Sequence, residues 1–198
     1  MIYAPLLNKK VITGGITRTE IRKLIKSHDR IIMMGHGNGS GLMSVGQFPE
    51  DEYSIIDYSM VGELREKENS IYIWCDADFF LWLHNLNGLC CGMFLSELEE
   101  CHRYGFKDCN QNLITESNNV FASIMSRHIN EPNDELYRNL VFEYGLLAKR
   151  NPIAKFNHER LYLFQESMEE RESGIFCDED LVINEIGEKG SFESVRPN

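Results

Sequence analysis

The chain reads as an α/β domain with a mostly parallel central sheet covered by helices on both faces, and three observations lead there. First, two short apolar blocks, residues 31–34 and 71–74, are bounded by polar residues or glycine, the pattern of strands buried on both sides. Second, strand-like and helix-like segments alternate along the chain, which calls for parallel strands joined by right-handed helical crossovers. Third, 198 residues with a hydrophobic fraction of 42% suffice for one self-supporting core. Each apolar block also runs into chemistry-bearing residues: Gly35-His36-Gly37 after the first, Cys75-Asp76-Ala77-Asp78 after the second. Ligands of open α/β sheets gather beyond the carboxyl ends of the strands, so both groups are expected at one crevice.

Taken in order, residues 10–13 form a short strand candidate ending in Gly14-Gly15. Thr17 stands three residues before Glu20, a capping box that starts a helix running to about His28 and burying Ile21, Leu24 and Ile25. The first strong strand ends at Met34, and the glycine-rich stretch 38–41 is a loop. Segments 42–45 and 53–56, separated by Gly46 and Pro49, read as a β-hairpin. Asp57 or Ser59 caps a helix through about Lys67. After the strand at 71–74 comes a buried helix start at 79–83, then a strand at 89–95 with Gly92 inside it. Helices are expected at about 116–127 and 134–149, the second capped by Asn133 after Pro132, and a last strand at 160–164. From Glu166 onward acids and glycines accumulate. The expected division is therefore a domain over 1–165 and an acidic tail over 166–198, with at most a short strand at 181–183.

The balance of 20 Lys and Arg against 31 Asp and Glu, a net charge of -11, argues against nucleic acid and against anionic membrane surfaces as partners. No apolar run approaches the ~20 residues that span a bilayer. The first eleven residues place Lys9 and Lys10 after a short apolar stretch, the reverse of a secretory signal. Six cysteines without a C-x-x-C pair fit a reducing, cytoplasmic setting in which most are free thiols packed as small hydrophobes. His84, His102, His128 and His158 have no companion at metal-ligand spacing, and no glycine loop leads from a strand into a helix with nucleotide-binding spacing. No metal and no cofactor are expected.

The chemistry-bearing residues each carry two readings. His36, uncovered between two glycines, is either a site residue or the cap of a strand end. Cys75 is either a thiolate activated by His36 or a buried thiol at a strand end, and the charges of Asp76 and Asp78 oppose the thiolate. Asp76 and Asp78 form a carboxylate pair that holds His36 or contacts a cation, although a metal needs more ligands than the sequence offers. Cys90 and Cys91, adjacent in a strand, point to opposite faces and serve packing. Glu97, Glu99 and Glu100 are either an acidic wall that favours basic substrate groups or the solvated start of a helix.

The order of these parts resembles the caspase-like fold, the cysteine-peptidase superfamily of caspases, legumain, gingipains and CHAT domains. Its signature is an apolar strand ending in His-Gly, a small hairpin, a helix, then an apolar strand ending in a polar residue, Ala and the catalytic Cys. Here His36-Gly37, the hairpin over 42–56, the helix near Ser59 and the strand from Ile71 follow in that order, and the acidic stretch after 89–95 is similar to the segment beyond the nucleophile in CHAT domains. The resemblance covers roughly residues 9–165 and implies a three-layer sandwich. It makes His36 the general base or acid and the Gly37 amide an oxyanion donor. Matching Ala77 to the family's Ala, however, places Asp78 on the nucleophile position and leaves Cys75 three residues earlier.

Two functions follow as expectations. One is a cysteine peptidase acting on a peptide or protein substrate, with His36 and Cys75 as the catalytic pair, Asp78 beside them, and Asp76 and Glu97 contacting substrate. The other is a catalytically silent caspase-like module that binds a protein partner or a ligand through the same crevice. A flavodoxin-like doubly wound domain is the remaining alternative for the fold.

Overall fold

The computed structural model describes residues 2–44 and 53–165, which lie within one compact unit, Met1–Phe164, apart from the last residue. The elements in chain order are α1 (Arg18–Ser27), β1 (Ile32–Met34), β2 (Gly37–Asn38), β3 (Gly41–Met43), β4 (Ser54–Asp57), a 3-10 turn (Tyr58–Met60) and α2 (Val61–Arg65). There follow β5 (Ile71–Ile73), α3 (Ala77–His84), β6 (Gly88–Cys91), α4 (Leu98–Arg103), α5 (Gln111–His128), α6 (Asn133–Ala148), α7 (Pro152–His158) and β7 (Leu161–Phe164).

The main sheet has the order β1-β5-β6-β7. β5 runs parallel to both β1 and β6, and β7 closes the edge antiparallel to β6. The protein is thus α/β with a mixed, mostly parallel sheet. Alternation of side chains sends successive residues to opposite faces, and the two faces carry separate cores. Met33, Tyr72, Trp74 and Cys90 pack with Ile21 and Ile25 of α1, Leu64 of α2 and Phe80 and Leu81 of α3. Ile71, Leu89, Cys91 and Leu161 pack on the other side with Phe121 and Ile124 of α5, Leu136, Leu140 and Tyr144 of α6 and Ala154 of α7. Each strand is apolar at every position because both of its faces are covered, which is what makes these segments legible as unbroken apolar runs.

The hairpin becomes a second sheet of its own, β2-β3-β4, antiparallel throughout. Trp74 fastens it to the main sheet: its indole N–H donates to the Asn38 carbonyl at 3.1 Å. A Cβ at Gly37 would lie only 2.3 Å from the Trp74 ring, so that ring demands a glycine there.

Several local expectations shift. Residues 10–13 are mostly exposed and form no strand; only Gly14 makes an isolated bridge. The capping box is present, with Thr17 and Glu20 exchanging hydrogen bonds. The helix expected over 59–67 breaks into the 3-10 turn, capped by Asp57 through Ser59 N–H at 3.0 Å, and the short α2. β6 stops at Cys91: the Gly92 N–H still donates to the Arg160 carbonyl opposite it, but further on the Asn157 side chain takes the place of a strand partner for Leu95, at both its N–H (2.8 Å) and its carbonyl (3.0 Å). α5 starts at Gln111 because the Asn110 side chain accepts from the amides of Asn112 and Leu113. At α6 the capping position is Pro132, while the buried Asn133 side chain reaches the Ser70 carbonyl at 2.7 Å. α7, unforeseen, is started by Asn151, whose side chain accepts from Ile153 and Ala154, with Pro152 in the first turn. Val45 of the expected hairpin, the possible strand at 181–183 and the tail over 166–198 lie outside the described residues.

Candidate functional site

β1, β5 and β6 all end at one edge of the sheet, and the candidate residues follow those ends. The ladder continues one step past β1, with Gly35 N–H donating to the Ile73 carbonyl at 3.1 Å. Met34 pairs with Ile73 in the last rung of both strands, so His36 and Cys75 each lie two residues past a strand end. Beyond them the chains part. The His36 carbonyl accepts from Met43 N–H at 2.8 Å as the backbone enters β2. Cys75 and Asp76 instead turn sharply into α3, with Ala77 N–H donating to the Trp74 carbonyl at 3.2 Å and Asp76 in the left-handed region, φ 61° and ψ 29°. That conformation costs a non-glycine residue about 1–2 kcal/mol, and aspartate is among the residues that tolerate it best.

The side chains take different partners from those the sequence suggests. The His36 ring, 51% exposed, places Nε2 at 3.6 Å from Oε1 of Glu97, itself 59% exposed. Glu97 is held at the start of α4 by a capping box in which the Glu100 carboxylate accepts from the amides of Glu97 (3.1 Å) and Ser96 (2.9 Å). Two of the predicted residues, His36 and Glu97, are therefore brought together.

The half-buried Cys75 thiol donates to the Phe94 carbonyl at 3.8 Å. Burial raises the Cys75 pKa; the Phe94 contact opposes the rise, and the charges of Glu100 and Asp76 add to it. A backbone hydrogen bond at Cys75 itself also lowers the pKa, but the net direction is upward and favours the thiol. Asp78 is buried (5% exposed) in the first turn of α3, where the helix dipole suits a carboxylate. Its carboxylate lies over Gly92: a Cβ there would sit 3.4 Å from both of its oxygens. Burial, and then the charges nearby, Asp78 among them, push Cys90 and Cys91 well above the ordinary thiol range.

Two roles leave little or no mark in the sequence. Glu100 stands in the acidic run but shows itself only through its spacing from Glu97, the interval of a capping box. The Phe94 carbonyl is a backbone group and leaves no trace in the sequence. Among the described residues no cluster of His, Cys, Asp and Glu is arranged to hold a metal ion, and no helix is long and apolar enough to cross a membrane. No family model, no curated protein and no solved structure matches the chain.

The arrangement has clear chemical consequences. A thiolate is the attacking species in acyl transfer, and here acidic neighbours disfavour it while the imidazole faces a carboxylate. Asp76, Glu97 and Glu100 instead give the crevice a negative potential suited to a cationic group.

Proposed function

We propose that this chain is a caspase-like module without peptidase chemistry, which receives a basic group of a peptide or protein partner in the crevice beyond β1, β5 and β6. One observation carries the reading: the Cys75 thiol is engaged by the Phe94 carbonyl among Asp76 and Glu100, while His36 turns its Nε2 to Glu97. The order of parts supports the caspase-like assignment: strand, His-Gly, small antiparallel sheet, helix, and a second parallel strand. The absence of peptidase chemistry is supported by the carboxylate of Asp78 at the position that would align with the family nucleophile, since a carboxylate there offers no thioester chemistry.

The test is a titration of the full chain, followed by NMR, with a short peptide rich in arginine and with its glutamate counterpart. The arginine peptide is expected to shift the His36 resonances and to bind less tightly as salt rises. Glu97→Gln keeps a side-chain acceptor for the helix start and is expected to weaken binding by about threefold to tenfold. Equal response to both peptides overturns the reading.

The peptidase reading is favoured by a different observation, the equal offset of His36 and Cys75, each two residues beyond the paired ends of neighbouring parallel strands. It requires the thiol to leave the Phe94 carbonyl and the imidazole to leave Glu97 when substrate enters.

A further inference from the structure

Away from the crevice, the loop between α4 and α5 folds two cysteines against each other. α4 ends at Arg103 with Tyr104 as its cap, and Gly105 follows with φ 87°, a left-handed conformation. Phe106 N–H donates to the Cys101 carbonyl at 3.0 Å and Gly105 N–H to the His102 carbonyl at 3.1 Å, the bond pair with which a glycine-ended helix closes its carboxyl end. Cys109 N–H then donates back to the Phe106 carbonyl at 3.0 Å, and Asn110 starts α5 directly afterwards. These turns bring Cys109 onto the small apolar cluster of Cys101, Ile114 and Ile153. Cys109 packs against the cluster in which Cys101 is buried, and the two thiols interact electrostatically. Both are free thiols; Cys101 is sealed from solvent, whereas Cys109 is only half-buried.

We propose that Cys101 and Cys109 form a redox-responsive dithiol, in which Cys109 meets a hydroperoxide and Cys101 resolves the product to a disulfide. In the first step the Cys109 sulfur attacks one peroxide oxygen: an S–O bond forms, the O–O bond breaks, and the departing oxygen leaves as water with the Cys109 thiol proton. In the second the Cys101 sulfur attacks the Cys109 sulfur: the S–S bond forms, the S–O bond breaks, and hydroxide leaves as water with the Cys101 proton. Two thiols lose two electrons in all, and one hydrogen peroxide becomes two waters. The division of labour follows from access, since only Cys109 can meet a dissolved oxidant. Burial first, and then the hydrogen bond and charge of Cys109, push the Cys101 thiol up to about 12, so it waits as a proton donor to its neighbour. The bond would tie the carboxyl end of α4 to the following loop, on the same helix whose other end presents Glu97 to His36.

The inference is independent of the proposed function and is tested on the full chain. The reduced protein is treated with hydrogen peroxide at neutral pH, remaining thiols are alkylated, and the product is digested with trypsin. A second digestion, with a glutamyl endopeptidase, cuts after Glu100 and frees Cys101 from Cys75, Cys90 and Cys91, and Arg103 and Lys107 lie between Cys101 and Cys109, so the Cys101 and Cys109 peptides stay together only through a disulfide. The expected result is a joined pair of peptides that separates on reduction. Cys109→Ser is expected to leave Cys101 reduced, and Cys101→Ser to leave Cys109 as a sulfenic acid that dimedone traps. Three results overturn the proposal: a Cys109 bond to Cys177 or to a second chain, a lasting sulfenic acid on Cys109 with Cys101 still alkylatable, or both thiols intact where a small thiol in the same tube is oxidised. Cys109→Ser alters only a half-buried position, so the test stands even if Cys101→Ser does not fold.

Discussion

Cys75 decides the chemistry at the scale of single residues. A thiol raised by burial, and further by Glu100 and Asp76, alkylates slowly at neutral pH and speeds up only when the solution passes the ordinary thiol range. Site-resolved alkylation with iodoacetamide is expected to rank Cys75 behind the half-buried Cys109 at neutral pH. His128 provides a second prediction, on the far side of the molecule. Its Nδ1 lies 2.8 Å from Glu131 and its Nε2 2.9 Å from Glu143, with Asn139 donating to Glu131 and Arg127 paired to Glu143. Hydrogen bonding to Glu131 raises the His128 pKa above its ordinary 6.5; burial opposes this and Glu143 adds to it. The folded state therefore holds this proton more tightly than the unfolded chain. Its contribution is fully present below the ordinary histidine value and disappears as pH climbs through the raised one. The Tm deficit of His128→Gln should be largest in mildly acidic buffer and shrink towards alkaline pH. A deficit that grows with pH contradicts the network.

At the scale of elements, two contacts position the crevice. Gly37→Ala would place a Cβ 2.3 Å from the Trp74 ring and 2.6 Å from the Gly41 carbonyl. Either the β2-β3-β4 sheet or the indole must move, at a cost of about 1–3 kcal/mol, measurable by urea unfolding. Asn157 acts as a substitute strand partner for Leu95. Asn157→Ala leaves a buried N–H and a buried carbonyl without it, costs at least about 2 kcal/mol, and is expected to loosen the segment that delivers Glu97 to His36. Hydrogen exchange at residues 95–100 reads this directly.

These elements also show which features were legible in the sequence. Strands 31–34 and 71–74 stood out because burial on both faces leaves no polar position to interrupt them, and α1 because Thr17 and Glu20 form a capping box. α7 is hidden because it has only 7 residues and the polar Asn157 is one of its buried positions, which leaves no apolar period to follow. The end of β6 was hidden because Asn157, distant in sequence, takes over the backbone of Leu95.

For the whole molecule, the main sheet carries two cores, and its three parallel strand ends supply the crevice. The fold class and the placing of His36 and Cys75 at strand ends could be read from apolar runs alone, since those runs dictate where strands stop. The pairing of His36 with Glu97 could not, because it depends on where α4 begins, and that is set by Glu100 and Asn157. The turn of Asp78 onto Gly92 likewise depends on the left-handed step at Asp76. The central claim is that this crevice binds without attacking. Its most direct measurement is incubation of the full chain with a peptidyl acyloxymethyl ketone at neutral pH, followed by site-resolved mass spectrometry. No preferential adduct at Cys75 is expected, and no change in its slow labelling in His36→Ala. A rapid Cys75 adduct that His36→Ala abolishes would contradict it and establish the thiol as a nucleophile.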